Sequence, residues 1–245
     1  MKISVAVSKG TGKMECEDNV LVGDNIINDT TGEYDFSEPT VICVADGVGG
    51  NKGGRAASEF LLRAVASENL FNLDEIEIKN SLVKINARLI EYAADIKGKE
   101  NMAATLTGFI ADNSRVVWFH SGNTRLYILQ GCYLKQITAD QTTYQRLMNF
   151  GNSAAAETCN KNEINGCFGG GDERYLLQLK TGVLELCGGS CFLMTSDGVH
   201  EYVDIDTLED ILNQDESDID IAARMIEKAS ENGSTDDKSV VIVRC

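Results

Sequence analysis

The chain has 245 residues, 43% hydrophobic and 24% charged, enough for one large domain with a sizeable core. No apolar run approaches the roughly 20 residues that span a bilayer. Its 38 acidic and 22 basic residues leave a net charge of −16, which disfavours nucleic acid and anionic membranes as partners.

The opening MKISVAVSKG has no signal-peptide core and reads as a first strand over 3–7, so a cytoplasmic protein is expected. Strands follow at 20–27 and 40–45. An Ala-rich helix is predicted over 55–70, with Phe60, Ala64 and Ser67 along one stripe. A second helix over 74–96 carries Ile78, Leu82, Ile85, Leu89, Ala93 and Ile96 at helical spacing. Four further strands read at 105–111, 116–120, 125–129 and 133–137. The segment 144–172 is rich in Asn and Gly and has no clear period. Strands at 175–179 and 191–195 come next. The acidic stretch 204–220 reads as solvated helix faces and a loop. A helix over 218–232 puts Ile219, Ala222, Ala223, Ile226 and Ala229 on one face, with a capping box at Ser217 and Asp220 and a C-terminal Gly233. The last strand is 239–243. Runs of strands with helices grouped between them predict antiparallel sheets covered by helices. No linker, repeat or low-complexity segment divides the chain, so a single domain over 1–245 is expected.

Eight cysteines raise the question of zinc or disulfides. There is no C-x2-C pair and only two histidines, so the spacing does not suit zinc. Cys43 and Cys191 lie inside apolar strand runs, where a thiol packs as a small hydrophobe. Reduced thiols are expected.

Four short acidic motifs carry the chemistry: Glu17-Asp18, Asp46-Gly47, Asp197-Gly198 and Asp236-Asp237. Three adjoin strand-like runs: VICVA before Asp46, CFLMT before Asp197 and VVIV after Asp237. Taken singly, either Asp-Gly reads as a turn, because Asp caps and Gly supplies positive φ, while Glu17-Asp18 reads as a solvated loop and Asp236-Asp237 as the start of a turn. Taken together, Asp residues at the ends of buried strands need a partner, and several converging at one sheet end form an oxygen-only site suited to Mg2+ or Mn2+.

These residues resemble the protein phosphatase 2C-type, metal-dependent Ser/Thr phosphatases, in the compact bacterial form. Asp46-Gly-Val-Gly-Gly-Asn-Lys-Gly-Gly-Arg-Ala-Ala-Ser58, His120-Ser-Gly-Asn-Thr-Arg-Leu-Tyr127, Leu134-Lys-Gln-Ile-Thr-Ala-Asp-Gln141, Thr195-Ser-Asp-Gly-Val199 and Asp236-Asp-Lys-Ser-Val-Val-Ile-Val243 are similar to five family blocks in their correct order. The resemblance implies an α+β fold, a four-layer α/β/β/α sandwich of two antiparallel sheets flanked by helices. It implies two Mn2+ or Mg2+ ions. Asp46 would bridge them and the Gly47 carbonyl would ligate one. Glu17 directly, and Asp18 through water, would serve that same ion, and Asp197 and Asp236 would hold the other. The implied reaction is hydrolysis of phosphoserine or phosphothreonine on a protein, the product of a Ser/Thr kinase, by a monomeric enzyme. The segment 144–172 is then either the family's flap or simply a long surface loop. His120 reads as a packed residue; His200, near Asp197, is open between packing and support of the site.

Three positions depart from the family pattern. Lys13 stands where the family has a phosphate-binding Arg, and it cannot form a bidentate fork. Asn123 replaces an Asp that supports a third metal, which puts that ion in question, although Glu201 could supply one carboxylate there. Asp237 replaces an Asn and adds negative charge beside Asp236. A non-catalytic or attenuated module of the same fold, and a small-molecule phosphomonoesterase, are the competing readings.

Overall fold

A computed structural model describes residues 1–37, 39–48, 53–112 and 115–245. The chain begins with β1 (Lys2–Ser8), β2 (Asn19–Val22), β3 (Asn25–Ile27), β4 (Thr31–Asp35) and β5 (Thr40–Ala45), followed by α1 (Gly54–Ser67) and α2 (Glu75–Ala94). It continues through β6 (Ala103–Ala104), β7 (Leu106–Asp112), β8 (Arg115–Ser121), β9 (Arg125–Gln130) and β10 (Tyr133–Gln136), then α3 (Thr143–Asn149), α4 (Ser153–Thr158) and β11 (Phe168–Gly169). A 3-10 turn (Glu173–Leu176) leads to β12 (Lys180–Glu185), β13 (Cys191–Thr195), α5 (Asp197–His200), α6 (Ile205–Leu212), α7 (Asp218–Glu231) and β14 (Lys238–Arg244).

The strands form two six-stranded antiparallel sheets, ordered β10-β9-β13-β14-β1-β4 and β12-β8-β7-β5-β2-β3. The side-chain period of two builds the layers. In β5, Ile42 and Val44 face the other sheet, while Val41, Cys43 and Ala45 face α1 and α2. In β14, Val241 and Val243 point between the sheets and Val240 and Ile242 point to α5–α7. Each central strand is therefore buried on both faces, which is why these runs are continuously apolar. The result is the expected four-layer α+β sandwich. Among the described residues no helix is long and apolar enough to cross a membrane. All eight cysteines are free, and Cys16, Cys43, Cys167 and Cys191 are buried.

Several local expectations change. The run 20–27 is two strands joined by a turn at Gly23, whose φ is 60°. The 175–179 run is apolar but follows the Asp172 cap, which starts the 3-10 turn; pairing begins only at Lys180, opposite His120. Helix α1 buries Ala57, Leu61, Leu62, Ala64 and Val65 rather than the Phe60/Ser67 stripe, and α7 buries Ile221, Ala222, Met225 and Ala229. Helix α2 buries the expected Ile78, Leu82, Ile85, Leu89 and Ala93. The unpatterned 144–172 segment forms α3, α4 and β11, and β11 pairs with β6.

Candidate active site

In an antiparallel sheet the start of one strand lies beside the end of its neighbour. Here Ser8 pairs with Lys238, Asn19 with Ala45, and Thr195 with both Val240 and Arg125. Residues just after β1, β5 and β13, and just before β2, β9 and β14, therefore meet at one end of the sandwich. Those positions are the 9–18 loop, Asp46, Asp197, Asn123 and Asp236-Asp237. The register aligns these ends within each sheet, and the 9–18 loop, running from β1 of one sheet to β2 of the other, joins the two sides through the Glu17–Asp237 and Asp18–Ser239 bonds. The Gly-rich stretch 49–52 of the Asp46 block lies outside the described residues.

The 9–18 loop is fastened by Asp237. One oxygen of this buried carboxylate accepts the Gly10 N–H at 2.7 Å; the other accepts the Glu17 N–H at 2.8 Å and Lys13 Nζ at 2.9 Å. Lys13 Nζ also donates to Asp236 Oδ1. Burial works against the Lys13 charge, but its hydrogen bonds to Asp236 and Asp237 prevail and raise its pKa. The Asp236 carbonyl in turn takes Lys238 Nζ at 2.7 Å.

Glu17 packs its carboxylate over Gly54 at the start of α1. A Cβ on Gly54 would stand 2.5 Å from Glu17 Oε1, so only glycine admits this approach. Burial raises the Glu17 pKa, and Lys13 pulls it back. Asp18 is fully buried. Its Oδ2 accepts from Ser239 Oγ at 2.8 Å, while its Oδ1 has no hydrogen-bond partner among the described residues. Burial and then the charges of Asp237 and Asp197 push its pKa up to about 7, against the hydroxyls of Ser196 and Ser239.

Asp46 is clamped through its backbone: its N–H donates to Thr105 Oγ1 at 3.1 Å and its carbonyl accepts the Thr105 N–H at 2.8 Å. Gly47 is buried, bridges to Ala104 and donates its N–H to the Glu17 carbonyl at 3.2 Å. The Asp46 side chain keeps part of its surface open. The protein around it, followed by the charges of Asp18, Asp197 and Asp236, raises its pKa well above the carboxylate range. Asp197 opens α5, and its Oδ2 accepts Asn123 Nδ2 at 2.8 Å. Its pKa is raised by burial and by Asp236. Glu201 ends α5 with much of its surface open; its covered half and the Asp197 charge raise its pKa to about 7.

This arrangement fits divalent cations. Among the described residues no Lys or Arg pairs with Asp18, Asp46 or Asp197, so their repulsion has no internal counter-ion. Asp18 Oδ1 is a buried acceptor with nothing on it. All the donors are oxygens, the set suited to Mg2+ or Mn2+. The carboxylates lean on Ser239, Asn123 and Lys13, and among the described residues no three His, Cys, Asp or Glu side chains stand as a finished ion cage.

Both histidines are structural. His120 Nδ1 pairs with Thr107 Oγ1 at 2.8 Å and Nε2 with the Ala139 carbonyl at 3.0 Å, and burial lowers its pKa to about 4. His200 is buried against Thr195 Oγ1 at 2.9 Å, and burial holds its pKa well below the usual value.

The family model for protein phosphatase 2C matches residues 23–237. The chain belongs to the protein phosphatase 2C family. One curated relative is the serine/threonine phosphatase stp of Listeria welshimeri, 28% identical over 214 residues that cover 84% of each chain. Another is the serine/threonine protein phosphatase PstP of Mycobacterium tuberculosis, 28% identical over 221 residues, covering 84% of this chain and 40% of that one. The crystal structure of the serine/threonine phosphatase Stp1 from Staphylococcus aureus matches with a TM-score of 0.84 at 22% identity, covering 99% of this chain and 94% of the other, a likeness of fold.

Within this protein phosphatase 2C fold, Lys13, Glu17, Asp18, Asp46, Gly47, Asp197 and Asp236 gather at one sandwich end, with Glu201 at its margin. Sequence reasoning missed four supports. Thr105 holds Asp46, Ser239 holds Asp18 while Ser196 Oγ accepts the Ser239 N–H at 2.8 Å, and Gln141 Oε1 accepts the Gly122 N–H at 3.1 Å beside Asn123. Each bonds across a long sequence separation, which no local pattern encodes. Asp237, read as surplus charge, proves to be a buried anchor; its place just before a fully buried strand was the available signal.

Proposed function

We propose that this chain is a metal-dependent protein Ser/Thr phosphatase that cleaves phosphoserine and phosphothreonine with a water activated between two Mn2+ or Mg2+ ions. The observation that carries this reading is the carboxylate set at one sandwich end, where among the described residues a buried Asp18 oxygen has no hydrogen-bond partner and no Lys or Arg pairs with Asp18, Asp46 or Asp197. Family membership and relatives named as Ser/Thr phosphatases support it.

Asp46 would be shared between the ions, with Gly47, Glu17 and Asp18 serving one and Asp197 and Asp236 the other. Bound there, such a pair supplies the charge that makes water acidic and neutralises phosphoryl oxygens. Thr105 fixes the Asp46 backbone and with it the point from which the carboxylate enters the site. Lys13 brings the one cationic side chain bonded to the carboxylate set among the described residues, and a phosphoryl oxygen is its natural ligand. The overall charge of −16 repels a phosphorylated substrate at long range, so capture depends on these local cations. The pairing of Asn123 with Asp197 leaves no acid at position 123, so a third ion is not part of the proposal, and Glu201 stays an accessory carboxylate. The protein is read as a monomeric, cytoplasmic single domain over 1–245, acting on the product of a Ser/Thr kinase.

The test is hydrolysis of p-nitrophenyl phosphate and of a phosphothreonine peptide with Mn2+, Mg2+ and EDTA. Turnover of both that EDTA abolishes is expected. Cleavage of p-nitrophenyl phosphate alone would point to a small-molecule phosphomonoesterase, and no turnover with either metal to a non-catalytic module.

A further inference from the structure

Two of this chain's departures from the family pattern, Lys13 and Asp237, are the two ends of one ion pair. Lys13 Nζ lies 2.9 Å from Asp237 Oδ2, in a pair whose acid side chain is 1% exposed and whose lysine side chain is 30% exposed. Three donors converge on Asp237 and use both oxygens: the Gly10 N–H on one, the Glu17 N–H and Lys13 Nζ on the other. An Asn there has one acceptor oxygen and would turn an NH2 toward at least one of these donors. The acid is therefore matched to the lysine and to the loop that carries it.

An ammonium has three N–H donors. Asp237 and Asp236 take two of them, and the third belongs to the open side of the group. A lysine ammonium on a free four-carbon stem is a poor fixed ligand because it loses rotamer entropy on binding. Here Asp237 fixes the ammonium in advance together with Asp236, and the Asp237 carboxylate alone also fixes the N–H of Glu17, four residues further along the loop.

We propose that Asp237 is the positioning residue for phosphate recognition in this chain: it holds the Lys13 ammonium at the rim of the carboxylate cluster with one N–H free for a phosphoryl oxygen of the substrate. The proposal rests on the phosphatase reading for the identity of the substrate. It goes beyond that reading in making the Lys13–Asp237 pair, rather than either residue alone, the phosphate-binding unit.

The experiment is a double-mutant cycle on Lys13→Met, Asp237→Asn and the double variant. Inorganic phosphate binding to each Mg2+-loaded protein is measured by calorimetry, alongside Mg2+ affinity and melting in EDTA. Each single variant is expected to weaken phosphate about tenfold, the scale of one charge-assisted hydrogen bond. The double variant is expected to lose no more than Lys13→Met alone. In kinetics the loss falls on KM rather than kcat. Unchanged phosphate affinity in Asp237→Asn, a lowered melting temperature as its only effect, or a double variant that loses about a hundredfold overturns the proposal. So does a wild type that binds no phosphate. A wild type that binds phosphate but cleaves neither p-nitrophenyl phosphate nor the phosphothreonine peptide leaves this inference standing and overturns the proposed function instead. Should Asp237→Asn fail to fold, Asp237→Glu keeps the charge and displaces the ammonium by one methylene. A severalfold loss of phosphate affinity is expected there, and none contradicts the pairing.

Discussion

Asn123 donates its side-chain N–H to Asp197 Oδ2 at 2.8 Å, so the residue standing in place of a family acid is the hydrogen-bond donor of the acid it would otherwise repel. Its own Oδ1 is buried without a hydrogen-bond partner among the described residues. Asn123→Asp removes this donor and sets a second carboxylate against Asp197. In EDTA the variant is expected to be less stable by about 1–3 kcal/mol, the cost of a lost charge-assisted bond plus repulsion. Millimolar Mn2+ should recover most of that loss and raise turnover. Thermal melts with EDTA and with Mn2+ check this; an equal deficit in both conditions would count against a cation-binding role for the Asp197 neighbourhood.

The metal-free protein should become less stable as pH rises from about 4 to about 7. Asp18 has its pKa raised to about 7, and Asp46 and Asp197 are raised as well, by burial and by one another. The folded state therefore holds protons that the unfolded chain releases near pH 4. This contribution is fully present below that pH and is lost as pH climbs through the folded values. Asp18→Asn removes one of these groups and should flatten the decline by on the order of 2 kcal/mol across the window. Urea midpoints in EDTA at pH 4.5, 6 and 7.5 provide the measurement, and a wild type whose stability rises across that range would show the carboxylates to be dispersed or internally paired.

Gly198 is where the Asp197 turn and the Asp236-Asp237 loop touch. A Cβ on it would stand 2.0 Å from the Asp237 carbonyl oxygen, a backbone atom that cannot swing aside. Gly198→Ala should cost about 1–3 kcal/mol through overpacking and should weaken Mn2+ binding, because the two ligand loops are forced apart. Melting and Mn2+ titration of the variant test this, and wild-type behaviour in both would mean the loops move independently.

Much of the site was readable because four acids sit at the ends of buried strands. Runs such as 40–45 and 191–195 are apolar on both faces and match β5 and β13 residue for residue. What escaped was whatever local pattern does not encode. Strand β4 (TGEYD) alternates exposed and half-covered residues on a sheet edge, so it carries no apolar run. Helix α6 hides Leu208, Ile211 and Leu212 among acids. Tyr175 and Leu177 look strand-like yet remain exposed, Leu177 at 81%, because the Asp172 cap turns the chain there first. The partners of Asp237 are 220–227 residues away in sequence, so its role could not be read from its neighbours.

In the proposed phosphatase Asp46 is the carboxylate shared by two bound cations. A calorimetric Mn2+ titration of the metal-free wild type and of Asp46→Asn tests it most directly. Two ions per chain are expected in the wild type. In Asp46→Asn the expected result is affinity at least tenfold weaker for both, no measurable phosphopeptide turnover, and a folded metal-free protein no less stable than wild type, since one repelling charge is gone. An Asp46→Asn protein that binds two ions with wild-type affinity would contradict the shared role of Asp46.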